Sequence, residues 1–250
     1  MTRRAFVDDT RLHDVVAGAV CALPDDVAHR FGRVLRMVDG EAVELFDDAG
    51  HVVAGTFAAP ASIVVVSTAM VDDALPPLTV VQALTKTDKL ELVVQKATEL
   101  GASRIVLFAA RRCQVKLDDE RGDKKVQRLT RIAQDAARQC GRGRPPIVSG
   151  PLPLIEALSV CRAVVDAGGI AFAGIVDADT TLSALLASRI DALKKGAVVV
   201  IGPEGGLDAD EQARFVEAGV TAVRFSRHVL RTETAALAAL TLCQAALGEA

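Results

Sequence analysis

Val198-Val199-Val200-Ile201-Gly202-Pro203-Glu204-Gly205-Gly206-Leu207-Asp208 is the stretch on which the fold turns. A run of four β-branched residues reads as a strand covered on both faces, as in a parallel sheet. Gly202-Pro203 ends the strand, a glycine-rich loop follows, and a helix opens at Asp208. Glu211, three residues on, completes an aspartate version of the capping box. Loops at the carboxyl ends of parallel strands are where open α/β sheets hold ligands, and glycines let backbone approach a ligand closely. A tight strand-to-helix turn with no ligand would use the same residues. The loop has neither the Gly-Lys-Ser/Thr ending of a phosphate-binding loop nor a GxGxxG dinucleotide fingerprint. Glu204 would repel a phosphate and suits a cationic or hydroxyl-rich ligand.

Outward from this stretch the pattern is strand, helix, strand. Residues 78–84 and 104–108 read as strands, 88–100 as a helix closed by Gly101, and 121–140 as a helix ended by Gly141. In the latter, Val126, Leu129, Ile132 and Ala136 mark the core side, and Lys124, Arg128, Arg131 and Arg138 fall on another face. After Pro145-Pro146 come a short strand, a helix near Leu154, a strand over 172–176 and a helix over 181–193. Then follow the strand 197–201, a helix over 208–218, a strand over 220–225 and a last helix over 232–247. Such alternation predicts a mainly parallel sheet with helices on both faces. The first 75 residues differ: short alternating runs at 42–46, 51–57 and 62–68, split by turn residues, predict a small β-barrel. Asp72-Asp73-Ala74-Leu75-Pro76-Pro77 breaks the rhythm. The domains are therefore drawn as 1–74 and 75–250.

Two further segments carry chemistry. In Phe225-Ser226-Arg227-His228-Val229-Leu230-Arg231-Thr232-Glu233-Thr234-Ala235 a strand end meets a polar knot before a long apolar helix. Thr232 as N-cap and Glu233 at the positive end of the helix dipole are ordinary capping. Arg231 is not explained that way, because a cation beside a helix N-terminus is unfavourable unless an anion joins it, either Glu233 or a substrate group. Arg111-Arg112-Cys113-Gln114-Val115-Lys116-Leu117-Asp118, with Gln139-Cys140-Gly141-Arg142-Gly143-Arg144, interleaves arginine with glycine, which suits phosphate contacts. Cys113 has no evident histidine partner and reads as an incidental thiol rather than a nucleophile.

Half of the residues are hydrophobic, enough for a packed core, yet no run approaches the ~20 apolar residues of a membrane span. Nothing after Met1-Thr2-Arg3-Arg4 resembles a signal peptide. Five cysteines without a CxxC pair and four dispersed histidines argue against a disulfide framework or a metal site, and the expected compartment is the cytoplasm. Net charge is −3, but its distribution is uneven: residues 1–75 hold six basic and twelve acidic side chains, whereas 111–144 hold eleven and five. A basic segment inside an acidic chain suits a polyanion, although a solvated helix face gives the same count.

In order along the chain, these segments resemble the RsmE family, the small-subunit (16S) ribosomal RNA uridine-N3 methyltransferases of the SPOUT superfamily. The resemblance rests on Ile201 to Gly206, Val229 to Ala235, Arg112-Cys113 with Val115 to Asp118, and Gln139 to Arg142. His29-Arg30-Phe31-Gly32-Arg33-Val34-Leu35-Arg36 and Glu99-Leu100-Gly101 add to it. It implies a PUA-like RNA-binding barrel over 1–74, a SPOUT α/β domain with a deep trefoil knot over 75–250, a homodimer, and S-adenosylmethionine as methyl donor. One wall of the donor site would come from Ile201, Gly202, Glu204, Gly205 and Gly206, the other from Phe225, Val229, Leu230 and Thr234. Arg231 would stabilise the uridine anion, with Glu233 as base, orienter or plain capping residue. Arg3, Arg4, Arg33, Arg36, Arg112, Lys116, Arg142 and Arg144 are the expected contacts to ribosomal RNA of the small subunit. Where the family has Leu-Gly-Pro-Arg, this chain has Phe225-Ser226-Arg227-His228, so a glycine and a substrate-contacting arginine are both replaced. The competing readings are a SPOUT enzyme acting on tRNA or a ribose 2′-hydroxyl, and an RNA-binding relative without catalysis.

Overall fold

The computed structural model describes residues 2–7, 10–47, 49–71, 75–113 and 119–248. They divide into two units, Met1–Ala74 with Gln134–Pro145, and Leu75–Ala133 with Pro146–Ala250. A single cut at residue 75 therefore does not separate them, because the end of one helix and its following loop belong with the N-terminal unit.

That first unit is a mixed five-stranded sheet of β1 (Arg3–Phe6), β2 (Val20–Ala22), β3 (Ala42–Phe46), β4 (His51–Ala58) and β5 (Ser62–Met70), in the order β1-β3-β4-β5-β2. β1 runs parallel to β3; the other neighbours are antiparallel. The alternation legible in β3 to β5 puts Val43, Leu45, Val53, Phe57, Ile63 and Val65 into one core. Helix α1 (Asp25–His29) passes directly into a π-helical turn, Arg30–Val34. This segment plugs the core with Phe31, fully buried and edge-on to Phe57, and leaves Arg33 and Arg36 exposed. Ala137, from the Gln134–Pro145 stretch, is buried against Phe46 and Val52. β1 and β2 were not expected; each is a short edge strand without an alternating run of its own.

The second unit is a six-stranded parallel sheet ordered β11-β9-β10-β6-β7-β8. Its strands are β6 (Leu78–Ala83), β7 (Ala102–Phe108), β8 (Ile147–Leu152), β9 (Ile170–Gly174), β10 (Ala197–Ile201) and β11 (Thr221–Val223). The helices are α2 (Thr87–Glu99), α3 (Asp119–Cys140), α4 (Leu154–Asp166), α5 (Leu182–Ser188), α6 (Ile190–Leu193), α7 (Ala209–Glu217) and α8 (Thr232–Leu247). One apolar cluster collects residues of α2, α3, α5, α6 and α8 on one face of the sheet, and another collects those of α4 and α7 on the other. β6 and β10 are buried at every position; β10 is a continuous apolar run, and β6 is one interrupted by Thr79 and Gln82. From β6 the chain winds outward through β7 and β8, then returns to build β9, β10 and β11 on the other side. The order therefore reverses between β6 and β10, the place where open sheets leave a crevice.

Three expected boundaries shift. The helix expected over 181–193 is two helices, broken at Arg189, whose φ of −129° and ψ of 30° are not helical. β9 ends at Gly174 rather than at Val176, and β11 spans only Thr221–Val223. Among the described residues no helix is long and apolar enough to cross a membrane.

Candidate functional site

At the carboxyl ends of β9 and β10 lies a cavity of about 490 Å³, and both glycine-rich and arginine-bearing loops open onto it. One side is formed by Ile201 to Leu207. The other is formed by Val229 to Thr232 with Ala235, and Gly174 and Val176 close the end. The shortened β9 is what puts Val176 there, on a loop rather than inside a strand.

The first loop is fastened from behind. Asp208 accepts a hydrogen bond from the Glu211 amide (2.8 Å), and Glu211 accepts one in return from the Asp208 amide (3.0 Å), the capping box the sequence predicts. Glu211 is fully buried because its other carboxylate oxygen accepts from the Arg111 amide at 2.8 Å, pinning the loop after β7 to α7. The Arg111 guanidinium pairs with Asp208 (3.2 Å) and Asp210 (2.6 Å), and these carboxylates raise its pKa. Arg112 donates to the Gly205 carbonyl at 3.0 Å, so this expected RNA contact braces the cavity loop. Gly206 has φ of +69°, a conformation only glycine adopts without strain.

The second loop is tied to the first through β6. The Thr232 hydroxyl donates to the Gly202 carbonyl (2.8 Å) and accepts from the side-chain amide of Gln82 (3.0 Å). Thr232 is thus not the N-cap. Helix α8 starts at Thr232, its N-cap is Arg231, and Arg231 makes no side-chain capping bond. The threonine hydroxyl holds the two loops together instead. Arg231 is exposed, lines the cavity, and has no ion pair among the described residues. Glu233 does not partner it.

Glu233 turns to Lys89. The Lys89 ammonium lies 3.0 Å from a Glu204 oxygen and 3.8 Å from Glu233 Oε2, which is buried without a hydrogen bond. One cation thus faces carboxylates from both loops. Partial burial opposes the charged form of Glu204, but its own backbone amide and Lys89 outweigh this and lower its pKa. Lys89 itself lines the cavity.

Of the expected donor-site residues, Ile201, Gly202, Glu204, Gly205, Gly206, Val229 and Leu230 share this cavity with Arg231. Phe225 lines a smaller adjoining cavity of about 70 Å³, edge-on to Phe172. Its ring lies so close to Gly174 that a Cβ there would fall 2.7 Å from it, so the aromatic residue that replaces the family's leucine relies on that glycine. Thr234 is exposed and, like Glu233, lines neither cavity. Sequence reasoning missed Lys89, Gln82, Gly174 and Val176.

The remaining expected contacts are scattered. Arg3, Arg33, Arg36 and Arg144 are exposed, and Arg144 donates to the Ala49 carbonyl. Arg4 is held within the first unit, paired with Glu44, stacked 4.9 Å from the Phe46 ring centre, and directed at the carbonyls of Ala137 (3.5 Å) and Arg142 (3.3 Å). Lys116, with Gln114 to Asp118, lies outside the described residues. Cys113 is half-buried, its sulfur accepts from the Ala110 amide at 3.3 Å, and burial raises its pKa, which disfavours a nucleophilic thiolate.

Residues 73–244 match a family model described as Methyltrans_RNA, an RNA methyltransferase domain. The ribosomal RNA small subunit methyltransferase E of Mycobacterium tuberculosis is 35% identical to this chain over 229 residues, 89% of this chain and 85% of the relative. A crystal structure of a ribosomal RNA small subunit methyltransferase E from Neisseria gonorrhoeae bound to S-adenosyl methionine is similar with a TM-score of 0.84, at 26% identity and 98% coverage of each chain. A Legionella pneumophila methyltransferase in complex with the cofactor SAM is similar with a TM-score of 0.78, at 27% identity and the same coverage. With the glycine-rich and arginine-bearing loops meeting on one cavity and similarity running through both units, the chain belongs to the ribosomal RNA small subunit methyltransferase E family.

Proposed function

We propose that this protein methylates N3 of a uridine in the 16S ribosomal RNA of the small subunit, using S-adenosylmethionine. The observation that carries the reading is Arg231, an arginine at a helix N-terminus with no ion pair among the described residues, on a cavity built from both motif-bearing loops. The cavity fits the donor. Its volume of about 490 Å³ is in the ordinary range for a small-molecule site. Val176, Val229, Leu230 and Ala235 offer an apolar wall for a purine, and the Gly202 to Gly206 backbone offers hydrogen-bonding groups to a ribose or amino acid. Glu204 favours a positively charged ligand over a phosphate. S-adenosylmethionine supplies an electrophilic methyl group.

Uridine N3 carries a proton and attacks poorly until that proton has passed to solvent water, which reaches the exposed Arg231 side of the cavity. The resulting negative charge spreads over the two carbonyl oxygens of the base, and the Arg231 guanidinium stabilises it. Lys89 holds Glu204 and faces Glu233, which keeps the loops at a fixed spacing and aligns the reacting groups. Glu233 acts as the orienter of Lys89. Exposed Arg3, Arg33, Arg36 and Arg144 give the first unit its contacts to the RNA backbone, with Arg142 and, from the sequence alone, Arg112 and Lys116 as further contacts. The working form is a homodimer acting in the cytoplasm, with residues 1–74 as the RNA-binding domain and the methyltransferase domain after residue 75.

The test is methyl transfer to small ribosomal subunits lacking the mark, followed by mass spectrometry of nucleosides and mapping of the modified position. A single N3-methyluridine is expected. A methylated ribose, a methylated tRNA, or no transfer at all would overturn the proposal. Light scattering in solution reads the dimer.

A further inference from the structure

We propose that Arg224 and Arg227 form a second subsite, distinct from the donor cavity, that takes a backbone phosphate of the RNA strand beside the target nucleotide. This rests on the methyl-transfer reading above. A third cavity, of about 610 Å³, is lined by Thr181, Ser183, Arg224, Phe225, Ser226 and Arg227. Two guanidinium groups and three hydroxyls line it and no carboxylate does, which is the donor set that phosphate oxygens select.

Arg224 is built on the sheet edge. Its amide donates to the Thr180 carbonyl (2.8 Å) and its carbonyl accepts from the Leu182 amide (3.0 Å), so the backbone carrying the guanidinium is fixed on both sides. The Thr181 hydroxyl accepts from the Ala184 amide and that of Ser226 from the His228 amide, which leaves each O–H proton available to an incoming oxygen. Among the described residues neither Arg224 nor Arg227 makes an ion pair or a side-chain hydrogen bond, whereas Arg111, Arg128 and Arg138 all pair with carboxylates. In a chain of net charge −3, two neighbouring arginines without counter-charges repel each other until an anion arrives.

Position supplies the rest. Arg224, Phe225, Ser226 and Arg227 also line the small cavity that shares Val229 and Leu230 with the donor cavity. The two ends of this continuous surface have opposite preferences: Glu204 at one end disfavours phosphate, and the arginines at the other favour it. A strand whose unstacked base reaches the donor has its own phosphates next to that base. Arg227 lies within the segment where this chain departs from the family's Leu-Gly-Pro-Arg, so the subsite offers a replacement for the arginine missing at His228.

The test compares the wild type with Arg224→Gln/Arg227→Gln, using labelled, unmodified small-subunit ribosomal RNA at several salt concentrations. Loss of the one phosphate contact on a single strand should flatten the slope of log affinity against log salt by about 0.7 and raise the RNA KM about ten-fold. Affinity for S-adenosylmethionine, read by calorimetry, should not change, and Arg224→Lys/Arg227→Lys should keep the wild-type slope. If the double glutamine variant fails to melt cooperatively, Arg227→Gln alone, at an exposed site, should flatten the slope by about half as much. An unchanged slope in a folded variant overturns the subsite, as does a loss of donor affinity that matches the loss of RNA affinity. A change of molecular mass in light scattering at constant slope assigns the arginines to a contact between copies and also overturns it. A wild type that binds no ribosomal RNA overturns the methyl-transfer reading itself.

Discussion

Arg231 sits where a cation is least at ease, at the N-cap of α8, and among the described residues no carboxylate pairs with it. If it stabilises the uridine anion, Arg231→Ala should lower kcat about 10²-fold, the loss typical of one anion-stabilising donor, and leave donor affinity unchanged. Equal losses in kcat and in calorimetric donor affinity would make it a donor ligand instead. The residue was legible because its position is electrostatically wrong for folding alone. The same signature marks Lys89 in the first turn of α2, and only the fold shows that Glu204 and Glu233, 115 and 144 positions away, supply its counter-charges. This cluster has a pH dependence. The Glu204 pKa is lower in the folded protein than the ordinary 4.5, so its contribution to stability is complete above 4.5 and disappears as pH falls through the lowered value. Thermal melting of the wild type should show that acid-side loss, and Lys89→Met should reduce it. Identical acid profiles for the two proteins would remove Lys89 as a cause.

At the level of elements, what the sequence makes legible is what periodicity and capping chemistry encode. β10 is a continuous apolar run, β6 is buried and mostly apolar, β3 to β5 alternate, and Asp208 with Glu211 announces α7. β1 and β2 are short pieces fixed by their neighbours, and the split between α5 and α6 is a backbone departure at Arg189 that no residue in the segment signals. The tie from β6 through Thr232 to the Gly202 carbonyl joins three elements distant in sequence. A polar Gln82 in a buried strand was its one sequence trace. Thr232→Val keeps the shape, removes the hydroxyl, and leaves both the Gly202 carbonyl and the Gln82 amide short of a partner. It should cost about 1–3 kcal/mol in chemical denaturation. Because the two loops then lose their link, donor affinity should fall with it, and a destabilised variant that binds the donor normally would show that the tie serves folding alone.

For the molecule as a whole, the parallel sheet and its separate N-terminal partner followed from the change of rhythm near residue 75, but the chain path did not. The trefoil knot implied by the resemblance has no signature in hydrophobic periodicity, where un-knotted connections are the default. Part of the excess of basic residues over 111–144 is met from outside that segment, because Arg111 pairs with Asp208 and Asp210, and Arg128 with Glu91. The division into units is likewise not a division of the chain. Helix α3 begins in one unit, and its last residues, with the loop to Pro145, belong to the other. Ala137 is fully buried against Phe46 and Val52, and Arg4 reaches the carbonyls of Ala137 and Arg142. A chain shortened to residues 75–250 keeps every residue of the 490 Å³ cavity but deprives 134–145 of these partners. Hydrogen exchange should then show the amides from Gln134 to Cys140 losing protection, while those of β6 and β10 keep it, since local stability follows buried contacts. Protection of 134–140 equal to that in the full-length chain would mean that α3 is held to its end by the second unit alone.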